Sequence, residues 1–247
     1  MAVVLFFSVF SVADYTFMIG RISEIFTSVQ GEGMYAGIPM IFVRFSGCNL
    51  QCDYCDTPLS RPVVAGKIKT VAEIIEDIEK ELESKKNVSI ISFTGGEPLL
   101  HAEIISEIIP HFKKRSIKTY LDTNGTLYEK FSKIANDIDY VAMDIKLPSA
   151  CGVEYWQEHL EFLKIAKKNI FVKIVVTSKS TDNEFKKAVE TIAAVDVSIP
   201  LVIQPVTPLG DIVSMPFEKI RILKKIAEQK LENVSIIPQM HKKLGIR

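Results

Sequence analysis

Short apolar runs alternate with stretches of helical period from Ile41 almost to the end of the chain, and this restricts the fold more than any other feature. Strand-like runs occur at Ile41–Phe45, Val88–Phe93, Lys118–Leu121, Asp139–Ile145, Ile170–Val176, Pro200–Gln204 and Val234–Ile237. Between them the spacing predicts helices near 71–82, 102–114, 127–135, 153–167, 182–194 and 216–231. The first is the best marked, with Val71, Ile74, Ile75, Ile78 and Leu82 on one face behind a Thr70–Glu73 capping box. In such a box the threonine oxygen and the glutamate carboxylate each satisfy an N–H that the first turn leaves bare. Repeated strand–helix units imply a parallel sheet with crossover helices. Six or seven of them suit an open doubly wound sheet or an incomplete barrel, and in both, ligands collect at the carboxyl ends of the strands. We expect an α/β fold of the second kind, an incomplete (partial) TIM-like barrel of about six parallel strands with outer helices.

The chemically distinctive residues fall at those strand ends. Gly47 and its successors follow the first strand, and Thr94-Gly-Gly-Glu-Pro98 follows the second. Asp122-Thr-Asn-Gly125 follows the third, and Asp144 and Lys146 end the fourth. Their convergence argues for a single site. Composition limits what that site binds. Lysine plus arginine and aspartate plus glutamate both number 30, so no basic excess of the kind a nucleic-acid footprint needs is present. The segment Met1–Phe10 is apolar but too short to span a bilayer, and the first basic residue is Arg21, so it lacks the positive start of a signal peptide. We expect residues 1–17 to be a dispensable extension and 18–247 to form a single domain.

Three of the four cysteines, Cys48, Cys52 and Cys55, lie within eight residues, and Cys151 stands apart. A secreted disulfide framework spreads its cysteines to close long loops. Clustered cysteines point instead to a metal or cluster site in a reducing, cytoplasmic setting. The spacing is C-x3-C-x2-C in one loop. Soft thiolates suit iron–sulfur clusters and zinc alike. Three protein ligands on a four-iron cluster leave one iron open. A structural zinc site would recruit Cys151 or a histidine as fourth ligand.

C-x3-C-x2-C after the first strand, with Gly95-Gly-Glu-Pro98 after the second, resembles the radical S-adenosylmethionine (SAM) superfamily. The resemblance implies a [4Fe–4S] cluster on Cys48, Cys52 and Cys55. SAM would chelate the open iron through its amino and carboxylate groups and be cleaved to a 5′-deoxyadenosyl radical that abstracts a substrate hydrogen. Gly95 and Gly96 clear the backbone for close approach. Glu97 offers an acceptor for the cofactor ammonium, and Tyr54 matches an aromatic position near the adenine. Gly96 and Lys146 match cofactor contacts, with Cys55, Asp56 and Gln204 expected on the same side.

Two further segments narrow the resemblance. Glu24-Ile-Phe-Thr-Ser-Val-Gln-Gly-Glu-Gly33 leads into Phe42-Val-Arg-Phe-Ser-Gly-Cys48, and the chain ends Pro238-Gln-Met-His-Lys-Lys-Leu-Gly-Ile-Arg247. With Cys55-Asp-Thr57 these resemble the 7-carboxy-7-deazaguanine synthases. That resemblance implies ring contraction of 6-carboxy-5,6,7,8-tetrahydropterin with loss of ammonia, on the way to queuosine or archaeosine. It implies Val29, Gln30, Gly31, Arg44 and Thr94 around the substrate, with Glu32 beside them, and His241 and the terminal carboxylate of Arg247 as C-terminal contacts. It also implies a magnesium ion on Thr57. Gln30 presents both an acceptor and donors to a pterin edge, and Arg44 suits a carboxylate. The partners so implied are a reducing electron donor such as flavodoxin or ferredoxin and a second copy of the chain, with no nucleic acid and no membrane. A glycyl-radical-enzyme activase shares the cysteine motif, Asp-Thr-Asn-Gly and Asp-Ile-Lys. A non-catalytic zinc-binding interaction protein is a third reading. Gln30-Gly-Glu-Gly33 and the Gln-Met-His tail separate the synthase from the activase.

Overall fold

The computed structural model describes residues 18–85, 87–166 and 169–245, so the apolar segment 1–17 and Arg247 lie outside the described residues. The first strands are β1 (Ile19–Val29), β2 (Pro39–Phe45) and β3 (Lys67–Thr70), followed by β4 (Ile90–Gly95), β5 (Lys118–Thr123) and β6 (Tyr140–Asp144). Then come β7 (Ile170–Val176), β8 (Leu201–Pro205) and β9 (Val234–Ile236). They form one sheet in the order β3-β1-β2-β4-β5-β6-β7-β8-β9. Neighbours from β2 through β4 to β9 all pair in parallel, so the expected βα series is present. The sheet is not closed: β3 and β9 are its two edges. The helices are α1 (Val71–Ser84), α2 (Ala102–Lys113), α3 (Tyr128–Ile134), α4 (Pro148–Cys151), α5 (Trp156–Ile165), α6 (Asp182–Ala193), α7 (Phe217–Ala227) and α8 (Met240–Leu244). None of the described helices is long and apolar enough to cross a membrane.

Strands β1 and β3 pair antiparallel and are absent from the expectation. The reason for β1 is a register shift between Ile22 and Glu24. Ile22 and Ile25 both pack toward the helices, while Phe26 stacks on Phe42 across the other face at 5.3 Å. A bulge flips the inward set by one residue, so no simple alternation marks the strand. Strand β3 is a short edge carrying two lysines, with little apolar signal.

Alternation along the other strands builds two layers. Ile41, Val43, Phe45, Val172, Ile174 and Val176 face the helices in the main core. Met40, Phe42, Ile90, Tyr120, Ala142, Phe171 and Val202 form a smaller cluster on the opposite face. The β1–β2 connection crosses this second cluster as a 3-10 turn at Gly33–Tyr35. There the Tyr35 ring lies 5.6 Å from Tyr120, 5.0 Å from Tyr140 and 6.0 Å from Phe171. Gly33 has φ +64°, and a Cβ there would sit 2.3 Å from the Phe171 ring. The wedge therefore floors the space above it and delivers Glu32 to β7.

Two backbone devices place the loops at the strand ends. The Thr70–Glu73 capping box starts α1, with Glu73 N donating to Thr70 Oγ1 at 3.2 Å and Thr70 N to Glu73 Oε2 at 2.7 Å. Gly95 turns the chain out of β4 at φ +135°, where a Cβ would lie 2.1 Å from the Phe45 carbonyl oxygen. We predict that Gly95→Ala lowers stability by more than about 2 kcal/mol, through the clash and a φ that L-residues avoid. Thr70→Ala should cost about 1 kcal/mol. Urea unfolding at unchanged m-value checks both.

His159 on α5 is fully buried and its Nε2 lies 3.1 Å from the Asn124 carbonyl oxygen, tying the helix to the loop after β5. Its Nδ1 is buried with no hydrogen-bond partner among the described residues. Burial holds the imidazole down to about 4, from an ordinary 6.5. The unfolded chain therefore takes up a proton below pH 6.5 that the fold refuses, and this stability is lost as pH falls toward 4. We predict a smaller loss across that window for His159→Gln, by about 2–3 kcal/mol, in urea midpoints measured as a function of pH.

Candidate active site

A cavity of about 350 Å³ opens at the carboxyl ends of the parallel strands. The loop after β2 supplies Cys48, Cys52 and Cys55 to it. That loop is held by backbone: Cys48 N donates to the Arg61 oxygen at 3.0 Å and Asp53 N to the Ala150 oxygen at 3.0 Å. It is also braced sideways. Asn49 Nδ2 donates to Thr126 Oγ1 at 2.8 Å and Asn124 Nδ2 to Asn49 Oδ1 at 3.0 Å. Burial pushes the Cys48 thiol up and the Cys52 thiol to about 11. Such thiols become thiolates when metal charge offsets desolvation. Cys151 does not line the cavity. Its thiol lies 3.2 Å from the Val153 oxygen and 3.4 Å from the Leu147 oxygen, which suits a half-buried packing residue.

The segments expected to bind substrate and cofactor meet around this space. Val29, Gln30, Gly31 and Glu32 line it from the end of β1, Arg44 from β2 and Thr94 from β4. Tyr54, Asp56, Thr57 and Gly96 line it from the two motif loops, Lys146 and Gln204 from the ends of β6 and β8, and His241 from α8. Arg44 faces Glu24 across the antiparallel pair, at 2.7 Å. Met240 N donates to the Gly31 oxygen at 2.8 Å, which docks the C-terminal helix on the Gln30-Gly-Glu segment.

Glu97 departs from the role expected of it. Its carboxylate is fully buried and is not among the cavity-lining groups. It accepts from Leu99 N at 3.1 Å, Thr123 Oγ1 at 2.7 Å and Asn124 N at 2.8 Å. Burial raises this carboxyl to about 7, the three hydrogen bonds opposing. Its side chain thus knots the loop after β4 to the loop after β5. The backbone of Gly95 and Gly96 is what faces the cavity.

A chain of buried charges crosses the floor. Lys146 Nζ lies 5.1 Å from the Tyr54 ring centroid and 2.7 Å from Asp144 Oδ2. The same oxygen lies 3.4 Å from Lys173 Nζ, which also pairs with Glu32 Oε2. Glu32 Oε1 accepts from Gln239 Nε2 at 2.7 Å, and Gln239 reaches Asp56 Oδ2 at 3.3 Å. His241 and Lys242 stand 3.7 and 3.9 Å from that Asp56 oxygen. Burial works against the Lys173 ammonium, but Glu32, Asp144 and Asp122 outweigh it and hold the group well above the ordinary lysine range. Burial likewise opposes the Asp56 carboxylate, and His241 and Lys242 still bring it down to about 2. Asp122 moves the other way, raised by burial against the pull of Lys173.

From the sequence Lys173 has no role, and Gln239 figures only as part of the Gln-Met-His tail, with no contact of its own. Lys173 is the one charge in the apolar run Ile170–Val176, and that alone marks it. Gln239 has no local signal; only the meeting of the tail with Glu32 gives it a role.

Buried polar atoms nearly always have partners. Here Tyr54 Oη, Asp144 Oδ1 and Gln204 Oε1 have none among the described residues, and all three residues line the cavity. Two are acceptors, which suits a ligand rich in N–H and O–H donors, as SAM is with its ammonium, ribose and adenine groups. Beside them, three thiols in one loop suit an iron–sulfur cluster. The residues present therefore fit both groups.

The pattern of the Radical SAM superfamily matches residues 42–192. A 7-carboxy-7-deazaguanine synthase of Geobacter sulfurreducens is 38% identical, over 91% of this chain and 97% of that one. One from Methanothermobacter thermautotrophicus is 35% identical, over 92% and 97%. Among solved structures, QueE from Escherichia coli shares the fold with a TM-score of 0.62, at 21% identity over 92% of this chain and 98% of that one. The chain belongs to the 7-carboxy-7-deazaguanine synthase family, within the radical SAM superfamily.

Proposed function

We propose that this chain converts 6-carboxy-5,6,7,8-tetrahydropterin to 7-carboxy-7-deazaguanine with release of ammonia, as a radical SAM enzyme of queuosine or archaeosine biosynthesis. The observation that supports this most is the meeting of the three-cysteine loop with Gln30, Arg44 and His241 around one cavity. Gln30 and His241 come from the two segments, far apart in the chain, that an activase would not need.

In this reading Cys48, Cys52 and Cys55 hold the cluster, while Tyr54, Gly96, Lys146 and Gln204 hold SAM. Once bound, these groups supply the one-electron chemistry that starts with hydrogen abstraction. The chain's own residues bind, orient and exclude water. Gln30 is buried, and its Oε1 is fixed by Glu32 N at 3.2 Å, so its amide meets a flat heterocycle in one orientation. Arg44 offers a guanidinium to the substrate carboxylate, with Glu24 holding it in place. Thr57 and the Asp56 and Glu32 carboxylates offer the hard oxygens that Mg2+ prefers. Atoms of Glu32, Asp56 and His241 lie within 4.8 Å of one another on that side. His241 and the C-terminal residues close the substrate end. We further assign a small reducing protein such as flavodoxin or ferredoxin as electron donor, a homodimer as the working form, residues 18–247 as one domain, and the cytoplasm as its place.

The reading predicts that anaerobically reconstituted protein, given SAM, reductant and 6-carboxytetrahydropterin, forms 7-carboxy-7-deazaguanine. Cofactor cleavage with an intact cluster and no such product would favour the activase. Removing residues 241–247 should abolish turnover while leaving the visible charge-transfer absorption of the iron–sulfur cluster in place; normal turnover would refute a role for the tail. Arg44→Met should raise KM for the pterin about 10- to 100-fold, the loss of one charge-assisted pair, in steady-state kinetics.

A further inference from the structure

We propose that Lys173 is a positioning residue that couples the cofactor side of the cavity to the C-terminal tail, by holding Asp144 and Glu32 on one ammonium. The inference rests on the reading above for which side of the cavity serves the cofactor.

Sheet register puts the pair together. Asp144 on β6 and Lys173 on β7 are Cα partners, so their side chains leave the same face side by side. Glu32 arrives from another part of the chain, 141 residues away, carried by the Tyr35 wedge. The Lys173 side chain is 7% exposed, Asp144 6% and Glu32 17%. Water does little to screen these charges, so what the ammonium holds is decided by the protein.

The links run in a circuit. From Lys173, one branch passes through Asp144 and Lys146 to the Tyr54 ring. The other passes through Glu32 and Gln239 to Asp56. Tyr54 and Asp56 flank Cys55, so both branches end on the same cysteine loop. Gln239 is also held from the far side, where Thr207 N donates to its Oε1 at 3.3 Å. Lys173 is the only group in the circuit that touches carboxylates of both branches. Without it, Glu32, Asp144 and Asp122 would lose the ammonium that offsets their charges, while Lys146 is already taken by Asp144 and His241 and Lys242 stand against Asp56. Like charges at that separation repel strongly in a poorly solvated site. Glu32 is the carboxylate best placed to move, since it sits on a loop rather than in a strand, and the tail then loses its Gln239–Glu32 bond.

Asp144 Oδ1, like Tyr54 Oη at the end of the same branch, is buried with no hydrogen-bond partner among the described residues. A ligand donor that engages it fixes Asp144, and through Lys173 fixes Glu32, Gln239 and the tail. Binding of SAM at one end should therefore order α8 at the other, with no direct contact required.

Amide hydrogen exchange on cluster-reconstituted protein, with and without SAM, tests this with no pterin present. In the wild type, SAM should slow exchange across residues 239–245 by tenfold or more. In Lys173→Met the tail should exchange about tenfold faster without ligand. SAM should still protect the segment after β6 in that variant while leaving the tail unprotected, and Lys173→Arg should restore part of the link. Glu32→Gln breaks the same link from the other side at nearly unchanged shape, and should give the same tail behaviour even if Lys173→Met cannot be purified. Equal tail protection by SAM in wild type and in either disrupted variant overturns the proposal, as does a wild-type tail that ignores SAM. A wild type with the coupling intact but no turnover of the carboxypterin would overturn the substrate reading alone.

Discussion

The site depends on burying charges of both signs together. Glu32, Asp122, Asp144, Lys146 and Lys173 share the floor of one cavity, and none would remain ionised there by itself. Removing two ions from water costs several kcal/mol each, and only close partners repay it. The strands provide those partners at fixed register, so the cost is met by the sheet itself. What the arrangement gains is rigidity of orientation. An ammonium between two carboxylates has one place to be, and both carboxylates then have fixed faces to offer a ligand.

Around that floor the open sheet is completed by chain rather than by strands. The Tyr35 wedge lies over Tyr120, Tyr140 and Phe171 where a closed barrel would place further inward side chains. The antiparallel edge β1–β3 extends the sheet on one side, and the C-terminal helix α8 docks on Gly31. Most residues we assign to the substrate thus come from the two ends of the described chain, while those we assign to the cofactor come from loops at consecutive strand ends. The two halves are built by different means and meet at Lys173.

Much of this was legible in the sequence. Parallel strands and crossover helices announce themselves through apolar period, and strand ends mark where ligands gather. The cysteine spacing and the Gln30-Gly-Glu-Gly33 segment carry their chemistry locally. Strand β1 was hidden because its bulge breaks the alternation that would reveal it. Lys173 was hidden for a different reason. A lone lysine in an apolar strand signals a buried charge, but its partners, Glu32 and Asp144, are set by topology. Glu97 was assigned to the ligand because its motif invites it, yet its three hydrogen bonds run to the protein. A motif shows that a residue type is needed; only the fold shows which way it points.

The bracing of the cysteine loop has a consequence for how the protein acquires its metal. Asn49 is locked to Asn124 and Thr126, Asn124 N is locked to Glu97, and Glu97 holds the loop after β4. The loop is thus shaped by protein contacts of its own, in addition to whatever the cluster supplies. Ordering a flexible ten-residue loop costs on the order of 10 kcal/mol of chain entropy, and these contacts offset part of it. The cluster therefore need not supply all of the loop's order, and losing a brace such as Asn49 would shift more of that cost onto cluster binding.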